Sequence, residues 1–409
     1  MTPADTFRGW PAVRLDNDII SAVVVPDIGG RILQFWLSDH PYLFVNRNLA
    51  GRLFTPAENW GDGSMSSWKN YGGNKTWPAP QGWDGPDQWA GPPDPILDSG
   101  RFELLEADRL RAVVQSPTDH RSGLQITREL QLEPNAARAR LRRTMRNVSQ
   151  RTVRWSLWDV TQVDCATDAD AVRPNCTMII PLDAASRLRR GYSVLYGAED
   201  NPQWSTARPG FLEVRYAGAL GKVGVDSRAG WVAFADGGWV FTHRFEVTPG
   251  AEYPDGGATV EVWTQGPGIA AGVDFSQPQL RGLFMEMEVL GPLVELEPGD
   301  ASSMDIVFAA CCCPGPIVDV TADVCCGGQL ELRPQGRAWR VRGAWGVFES
   351  GRMQLRAVGA SAVLLEQPVT PLEPLKLDAS VQLPEGARGV ELVFLRDTAS
   401  PVVVASAVT

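Results

Sequence analysis

LQITRELQL, residues 124–132, alternates apolar and polar side chains and points to the fold class of the chain. Its apolar side chains fall on one side of an extended chain, at Leu124, Ile126, Leu130 and Leu132. A period of two residues is typical of a β-strand with one buried face. A turn at residues 133–135 and a second alternating run over residues 137–148 follow, so the two runs predict a long antiparallel hairpin with a cationic outer face.

Similar strand-sized runs recur along the chain and predict an all-β fold. Two of them, residues 19–25 and 31–37, flank a tight turn rich in Pro, Asp and Gly. No stretch keeps a 3.6-residue apolar period over three turns, and 41 Gly and 31 Pro separate the runs. We therefore predict a large β-sandwich. Its further strands are expected near residues 152–163, 177–181, 211–216, 229–235, 238–247, 258–264, 283–290 and 303–310.

A Pro-Gly-Pro segment at residues 314–316 has the composition of a linker. Shorter strand-sized runs continue beyond it to residue 395. The pattern predicts two domains, a large sandwich over residues 1–313 and a small C-terminal β-sandwich over residues 314–409. The second domain carries no motif that indicates a chemical role.

The composition excludes several classes of function. The 409 residues include 38 Lys+Arg and 48 Asp+Glu, a net charge of −10. This balance argues against a nucleic-acid partner, because phosphates are bound by clustered Lys and Arg. No run approaches the roughly 18 apolar residues of a membrane span, and no secretory signal is visible at the N-terminus. We expect a cytoplasmic protein without a membrane partner.

The seven cysteines do not predict a metal site. Five of them lie in two groups, residues 311–313 and 325–326. Contiguous cysteines on a strand point to alternate faces, and the two-residue spacers of zinc ribbons are absent. Buried thiols are the expectation. Walker and dinucleotide-binding motifs are absent too, so no cofactor is predicted.

Residues 55–100 lack any periodicity and are interpreted as a folded lid or binding loop. Five of the 15 tryptophans lie there, at Trp60, Trp68, Trp77, Trp83 and Trp89. Indole rings stack on the flat C–H faces of sugars, although tryptophans also fill the cores of large sandwiches. Within the densest polar and aromatic segment, residues 70–81, a glycine pair permits backbone angles that would aim Asn74 and Lys75 at a ligand. A solvated turn is the alternative.

Two carboxylates and one histidine are candidates for acid–base chemistry. Glu286 and Glu288 stand two residues apart in an apolar strand and project to one face. Their proximity in partly apolar surroundings is expected to raise the pKa of one of them towards neutrality. The alternatives are a solvent-facing edge and the acid pair of a glycoside hydrolase. His243 lies within a strand and is either structural or a general acid.

Several ordered motifs resemble those of galactose mutarotase-like proteins, the aldose 1-epimerase superfamily, and specifically a bacterial branch of it. The resemblance spans about residues 10–312. It rests on residues 25–32 (VPDIGGRI), 70–81, 158–162 (WDVTQ), 253–257 (YPDGG) with 261–262, 286–288 (EME) and 296–299 (LEPG). It implies a supersandwich of large antiparallel sheets with a saccharide cleft on one concave face.

In true mutarotases a glutamate removes the proton of the anomeric hydroxyl while a histidine protonates the ring oxygen. The resemblance places the glutamate at Glu286, with Glu288 beside it. The family's mid-domain histidine has no counterpart in SLWDVT, residues 156–161. Asp159 or His243 is therefore expected to supply the acid. The substrate-binding residues expected around them are Arg31, Asn70, Tyr71, Asn74, Lys75, Trp77, Gln81, Trp158, Gln162 and Arg244.

The sequence thus predicts a carbohydrate-active protein, with interconversion of aldose anomers as the leading hypothesis. A non-catalytic saccharide-binding protein is the second hypothesis, favoured by the missing histidine and the tryptophan content. An oligosaccharide lyase or hydrolase is the third, with Tyr71, Tyr253 and Arg244 as its residues of interest. The expected ligand is a mono- or oligosaccharide, with acidic or phosphorylated sugars included because Lys75, Arg31 and Arg244 could meet an anion. Each of these cations is equally plausible as a structural ion-pair partner.

Overall fold

The structure, a computed structural model, describes residues 5–82, 91–270, 272–360, 362–396 and 399–409. Nearly all regular structure in this part of the chain is antiparallel β-sheet, which confirms the predicted all-β class. The one α-helix that it contains, α1 (Pro56–Trp60), is a single short segment capped by Thr55. Trp83 and Trp89 of the predicted binding loop lie outside the described residues.

The described residues form 33 strands, numbered here in chain order. The first eleven are β1 (Asp5–Phe7), β2 (Trp10–Asp16), β3 (Ile20–Val25), β4 (Arg31–Leu37), β5 (His40–Pro41), β6 (Asn74–Ala79), β7 (Glu103–Ala107), β8 (Arg111–Gln115), β9 (Leu124–Leu132), β10 (Arg138–Asn147) and β11 (Val153–Asp164). The next thirteen are β12 (Thr177–Pro181), β13 (Ser193–Tyr196), β14 (Trp204–Ser205), β15 (Phe211–Arg215), β16 (Gly221–Val225), β17 (Trp231–Asp236), β18 (Trp239–Phe245), β19 (Val260–Thr264), β20 (Ile269–Ala270), β21 (Val273–Asp274), β22 (Phe284–Leu290), β23 (Val294–Leu296) and β24 (Ala301–Cys312). The last nine are β25 (Asp319–Val320), β26 (Val324–Cys326), β27 (Glu331–Gln335), β28 (Ala338–Val347), β29 (Gly351–Val358), β30 (Val363–Val369), β31 (Leu375–Val381), β32 (Gly389–Arg396) and β33 (Ala399–Val408).

Two large antiparallel sheets form the body of the molecule. The first sheet has the order β1-β2-β3-β4-β6-β11-β22-β19-β16-β13, with β5 paired to β4 and β23 to β11. The second sheet has the order β14-β15-β12-β17-β18-β24-β10-β9-β8-β7 and contains the predicted hairpin as β9 and β10. Apolar side chains of both sheets, such as Met287 and Phe308, meet in one core cluster between them. The architecture is therefore a sandwich of two large sheets.

The prediction of a loop over residues 55–100 is wrong for residues 74–79. These residues form β6, which lies between β4 and β11 inside the first sheet and is buried along its whole length. The glycine pair before it allows this close packing, since a Cβ on Gly73 (φ +72°) would lie 2.5 Å from the carbonyl oxygen of Ile32. Periodicity could not reveal the strand, because a strand buried on both faces shows no alternation.

A polar cluster lies between the two sheets, fully enclosed by the core. Asp159 forms a buried ion pair with Arg143 and accepts a hydrogen bond from Asn74 Nδ2 at 2.6 Å. His243 Nδ1 lies 3.7 Å from Asp159 Oδ2, and its ring stacks on Phe308 at a centroid distance of 4.2 Å. Burial, with the charge of Arg143 adding to it, lowers the pKa of His243 to about 3. The imidazole is therefore neutral, and it packs as part of the core.

Residues 319–408 form a five-stranded sheet (β25-β26-β28-β27, with β31 on β28) and a four-stranded sheet (β30-β29-β32-β33). These sheets enclose an apolar cluster of their own, which includes Trp345 and Phe394. The domain boundary at residues 313 and 314 stays a prediction. All seven cysteines are free, and Cys311, Cys313 and Cys325 pack with Trp231 and Phe348 in a separate apolar cluster. No group of three or more metal-ligating side chains occurs within the described ranges.

We expect Asp159→Ala to lower the free energy of unfolding by about 3–5 kcal/mol, because it leaves the buried Arg143 guanidinium without its carboxylate. Urea denaturation followed by far-UV circular dichroism measures this loss. The matched control is Asp305→Ala, which removes the partner of Arg142 from a half-exposed pair 3.8 Å long. The control is expected to cost less than about 1 kcal/mol. Equal losses in the two variants would contradict the structural role of Asp159.

Candidate functional site

The outer face of the first sheet carries a row of side chains from five neighbouring strands. On β22, Glu286 lies beside Gln162 of β11 and Trp263 of β19. Beyond Trp263 the row continues through Lys222 of β16 to Tyr196 of β13. Alternate residues of a strand point to opposite faces, so these five side chains project together, away from the core between the sheets.

Neighbouring positions on the same face extend this row in both directions. Glu261 of β19 lies beside Glu288 of β22, and Lys75 of β6 lies opposite Val160 of β11. One further step along β11, Trp158 stands beside Trp77 of β6, with ring centroids 5.5 Å apart. The face is thus built from tryptophans and paired charges.

These side chains and the segments that cross over them enclose a pocket of about 290 Å³. Its walls are mostly apolar, with seven aromatic rings among the fifteen lining residues, and polar groups occupy a few positions among the rings. This composition is typical of small-molecule sites, and the volume lies just below the roughly 300–1,000 Å³ common for them. The lining residues are Met65, Trp68, Trp77, Gln81, Pro92, Trp158, Leu195, Tyr196, Lys222, Asp255, Trp263, Gln265, Phe275, Phe284 and Glu286.

Asp98 fixes two of the lining tryptophans. Its carboxylate accepts hydrogen bonds from Trp68 Nε1 at 2.8 Å and Trp77 Nε1 at 3.2 Å. Arg31 holds the same carboxylate at 2.6 Å and also donates to the carbonyl oxygen of Gly72. Arg31 and Asp98 have no exposed side-chain surface. The expectation that Arg31 contacts the ligand is therefore corrected. Arg31 lies beneath the pocket wall, where its guanidinium is paired with Asp98.

Glu286 is the acidic side chain on the pocket floor. It keeps 12% of its surface exposed. Gln162 Nε2 donates a hydrogen bond to Glu286 Oε1 at 2.7 Å, and Lys75 Nζ lies 3.4 Å from the same oxygen. The Lys75 ammonium also sits 4.0 Å from the ring centroid of Trp77. Burial lowers the pKa of Lys75, although the charge of Glu286 opposes this shift.

Glu288, Glu261 and Lys222 form a second charged group beside Glu286. Lys222 Nζ lies 2.6 Å from Glu261 Oε2 and 3.1 Å from Glu288 Oε2. Trp158 Nε1 donates a hydrogen bond to Glu288 at 2.8 Å. Both carboxyl groups are completely buried, whereas Lys222 keeps 16% of its side chain exposed. Burial raises the pKa of Glu288 to about 7, with a further contribution from the charge of Glu286.

The structure brings part of the predicted site together. Glu286, Trp77, Gln81 and Trp158 line the pocket, and Gln162 and Lys75 contact Glu286. Glu288 shares their face, but it lies under Trp158 and Lys222 with no exposed surface.

Besides Arg31, seven further predicted residues neither line the pocket nor lie beside Glu286. Asp159, Asn74 and His243 belong to the polar cluster between the sheets, so neither proposed acid lies on the face of Glu286. Asn70 and Tyr71 are completely buried, and the Tyr71 ring packs against Trp10 at 6.0 Å. Arg244 lies on β18 of the second sheet, and Tyr253 lies in the segment before β19.

The sequence did not identify five of the residues that line the pocket. They are Lys222, Trp263, Tyr196, Asp255 and Gln265. The order in which β13, β16, β19 and β22 pair is not encoded in any local pattern, so nothing in the sequence placed Lys222 near Glu286. The one available signal was the spacing of Glu261 and Trp263, which matches the two-residue spacing of Glu286 and Glu288.

Comparison with known proteins identifies a family without an assigned activity. Residues 11–308 match a family model described as "Domain of unknown function (DUF4380)". No curated protein matches the chain. No helix in the described part of the chain is long and apolar enough to cross a membrane.

Among solved structures the chain is similar to several proteins named after galactose mutarotase. A galactose mutarotase-like protein from Lactobacillus casei is 11% identical, with 73% of this chain and 99% of that one covered and a TM-score of 0.46. A galactose mutarotase-like protein from Clostridium acetobutylicum is 10% identical, with 75% and 97% covered and a TM-score of 0.45. A galactose mutarotase related enzyme from Lactobacillus acidophilus is 10% identical, with 73% and 97% covered and a TM-score of 0.45. These names are those of the superfamily that the sequence motifs resemble.

We expect Glu288→Gln to flatten the pH dependence of stability. The pKa of Glu288 is raised from 4.5 to about 7, so between these values the folded chain holds a proton that the unfolded chain has released. The free energy of unfolding therefore falls as the pH rises through this window, and Gln removes that contribution. Urea denaturation at several pH values between about 4.5 and 7 measures the change. Glu295→Gln, at an exposed position of β23, is the control and should keep the wild-type slope. An unchanged slope in Glu288→Gln would contradict the raised pKa.

Proposed function

The chain belongs to the DUF4380 family, and we propose that it binds a neutral sugar in the pocket and interconverts its anomers, with Glu286 as the general base. The observation that carries the proposal is a partly exposed carboxylate on the floor of a pocket walled by aromatic rings. The sequence resemblance to mutarotase-like proteins suggests the same residue for this role.

The aromatic walls suit a sugar ring. Trp158, Trp263 and Tyr196 stand on alternate strands of one face, β11, β19 and β13. Phe275 packs 5.5 Å from Trp263. Flat aromatic rings stack against the C–H faces of a pyranose, while polar groups between them bond its hydroxyls. Gln81 and Gln265 supply amide groups within the same lining.

Glu286 has the surroundings of a general base. Gln162 and Lys75 both approach Oε1, and the structure gives no partner for Oε2 within the described residues, so Oε2 is the atom offered to an anomeric hydroxyl. The two contacts fix the orientation of the carboxylate before the ligand arrives. A general base must lie within about 2.6–3.2 Å of the proton it removes, and a preset orientation favours that geometry.

The charges of the pocket favour a neutral sugar over the acidic or phosphorylated ones that the sequence left open. Lys222 is the one cation among the described lining residues, and two carboxyl groups already hold it. Asp255 and Glu286 add negative charge to the same lining. An anionic ligand would lose its hydration without gaining an unpaired cation, which is costly at a partly buried site.

A saccharide-binding protein without turnover is the second candidate. The ion pair between Lys75 and Glu286 favours it, because a carboxylate held by an ammonium is also a fixed acceptor for a hydroxyl that is never deprotonated. The described lining also lacks a histidine that could act as the acid. No comparable observation favours the lyase or hydrolase hypothesis, since Tyr71, Tyr253 and Arg244 lie outside the lining.

We expect Glu286→Gln to lower the rate of anomer exchange by about 10²–10⁴, because general base catalysis contributes a factor of that size. The measurement is two-dimensional exchange NMR of anomeric protons, run over a panel of neutral aldoses, uronic acids and sugar phosphates. Glu295→Gln is the control and should exchange at the wild-type rate.

Two results would contradict parts of this proposal. Loss of less than about tenfold in Glu286→Gln would reject the base assignment, and binding of a sugar without exchange by the wild-type protein would support the second candidate. Tighter binding of uronic acids or sugar phosphates than of their neutral parents would reject the charge argument.

We expect Trp263→Ala to weaken sugar binding by roughly tenfold or more, since a stacked aromatic face contributes on the order of 1 kcal/mol beyond its buried area. Titration calorimetry with the best ligand of the panel measures the dissociation constant. Trp60→Ala is the matched control, because Trp60 lies in the tryptophan-rich segment but is 42% exposed and does not line the pocket. Equal effects in both variants would contradict the placement of the ligand against Trp263.

A further inference from the structure

Lys222, Glu261 and Glu288, here the Lys222 triad, form a charged group that the action of Glu286 leaves unused. The lysine reaches the pocket lining, and both carboxyl groups lie behind it without exposed surface. A buried ion pair has one acid for each base, whereas this group has two acids for one base. The surplus carboxyl group calls for an explanation.

The surplus is resolved if the two carboxyl groups share a proton. A single ammonium can offset the charge of one buried carboxylate, and an uncompensated second charge in such a place takes up a proton instead. Two observations support this reading. Glu261 Oε1 and Glu288 Oε1 have no hydrogen-bond partner among the described residues, and burial raises the pKa of Glu261 well above its ordinary value.

Lys222 is the group through which this proton could reach a ligand. Among the described lining residues, the side chains able to donate are mostly engaged: Tyr196 OH donates to the carbonyl oxygen of Ile269 at 3.1 Å, and Trp158 Nε1 donates to Glu288. Lys222 Nζ carries three protons and forms an ion pair with one oxygen of each carboxyl group, at 2.6 and 3.1 Å. Two such contacts leave a proton for an acceptor in the pocket.

The register of the sheet places this donor across the pocket from the base. Lys222 of β16 and Glu286 of β22 belong to one row and are separated by the single strand β19. Two strand spacings amount to roughly 9–10 Å between backbones, and both side chains rise from the same face. Trp263 stands between them, and a sugar ring stacked over its indole can meet Glu286 at its anomeric hydroxyl and Lys222 at its ring oxygen.

We infer that Lys222 is the general acid of the site and that the Lys222 triad supplies the proton that it donates. This inference rests on the proposed anomer interconversion and names the acid that replaces the missing histidine.

The proton and electron balance closes within the pocket. Glu286 takes the proton of the anomeric hydroxyl, an electron pair of that oxygen forms the C1 carbonyl, and the bond from C1 to the ring oxygen breaks. The pair released to the ring oxygen takes a proton from Lys222 Nζ. The amine thus formed takes the shared proton from Glu261 or Glu288. Rotation about the C1–C2 bond and the reverse steps close the ring on its other face.

The coupling to the carboxyl groups is essential to this step. Burial alone would lower the pKa of Lys222. The charges of Glu261 and Glu288 outweigh this effect and raise the pKa above its ordinary value. An ammonium held so firmly is a weak acid by itself. Immediate return of a proton from the carboxyl pair leaves the lysine charged throughout, so the net donor is a carboxylic acid with a pKa nearer neutrality.

The test compares Lys222→Arg, Lys222→Met and Glu261→Gln with the wild-type protein in exchange NMR and in sugar titrations. Arginine keeps the positive charge and the ion pairs but does not release a proton. We expect Lys222→Arg and Lys222→Met to slow exchange by about 10² or more, while the dissociation constant for the sugar changes less than about tenfold. Lys376→Met, at an exposed position of β31, is the control and should match the wild type.

The pH profile distinguishes proton supply from a merely structural role. The charged groups that face Lys222 are Glu261 of β19, Glu288 of β22 and Asp255 in the turn before β19, and Glu286 adjoins Glu288. We expect kcat of the wild type to fall as the pH rises and the shared proton is lost, and Glu261→Gln to have no such limb because its amide holds no transferable proton.

Each outcome separates the two proposals. If both Lys222 variants exchange anomers at the wild-type rate while Glu286→Gln is slower, the role of Lys222 is overturned and the proposed function stays intact. The same pH limb in Glu261→Gln as in the wild type overturns the shared proton. Absence of exchange by the wild type on every sugar that it binds overturns both proposals.

Discussion

The strict alternation of side chains along the central strands of the first sheet governs the rest of the structure. Strands β11 and β22 have neighbours on both edges and are covered on both faces, so each residue belongs either to the core between the sheets or to the pocket face. Trp158 and Asp159 are adjacent in sequence, yet one lines the pocket and the other closes an ion pair in the interior. A shift of one residue in register would exchange these two environments completely.

This alternation explains how much of the site the sequence could reveal. The spacing of Glu286 and Glu288 was sufficient to place both on one face, because a two-residue step is a local property of a strand. The orientation of Asp159 was not accessible, since residues 155–163 are buried without interruption and show no polar alternation that marks a face. The contact of Lys222 with Glu261 and Glu288 depends on strands that pair across long stretches of chain, and no local motif encodes that pairing.

Two groups of buried charge lie on opposite faces of the same sheet and differ in what they can do. Around Asp159, its partner Arg143 is fully buried, as is Arg128, which donates to Asn74. Every group there is out of reach of a ligand. On the other face, Lys222 keeps part of its side chain in the pocket. Burial of charge is costly in both places. Only on the second face does one of the buried charged groups reach a surface that a ligand can occupy. The same chemistry of Lys, Arg and carboxylates is therefore structural on one face and available for proton transfer on the other.

Residues 25–32 resemble the first hairpin of mutarotase-like proteins. They support the pocket wall from beneath and do not line the pocket. Arg31 of this motif is the first residue of β4 and holds Asp98, whose two oxygens accept hydrogen bonds from the indoles of Trp68 and Trp77. The pocket wall is thus set before a ligand arrives, which reduces the entropy lost on binding. In the sequence, Arg31 looks like a cation that binds a ligand. In the structure it preorganises the pocket wall, because a fully buried guanidinium must be paired by the protein itself. Resemblance at such a position therefore concerns the geometry of the scaffold, while the side chains that the scaffold leaves exposed to the pocket decide which ligand binds.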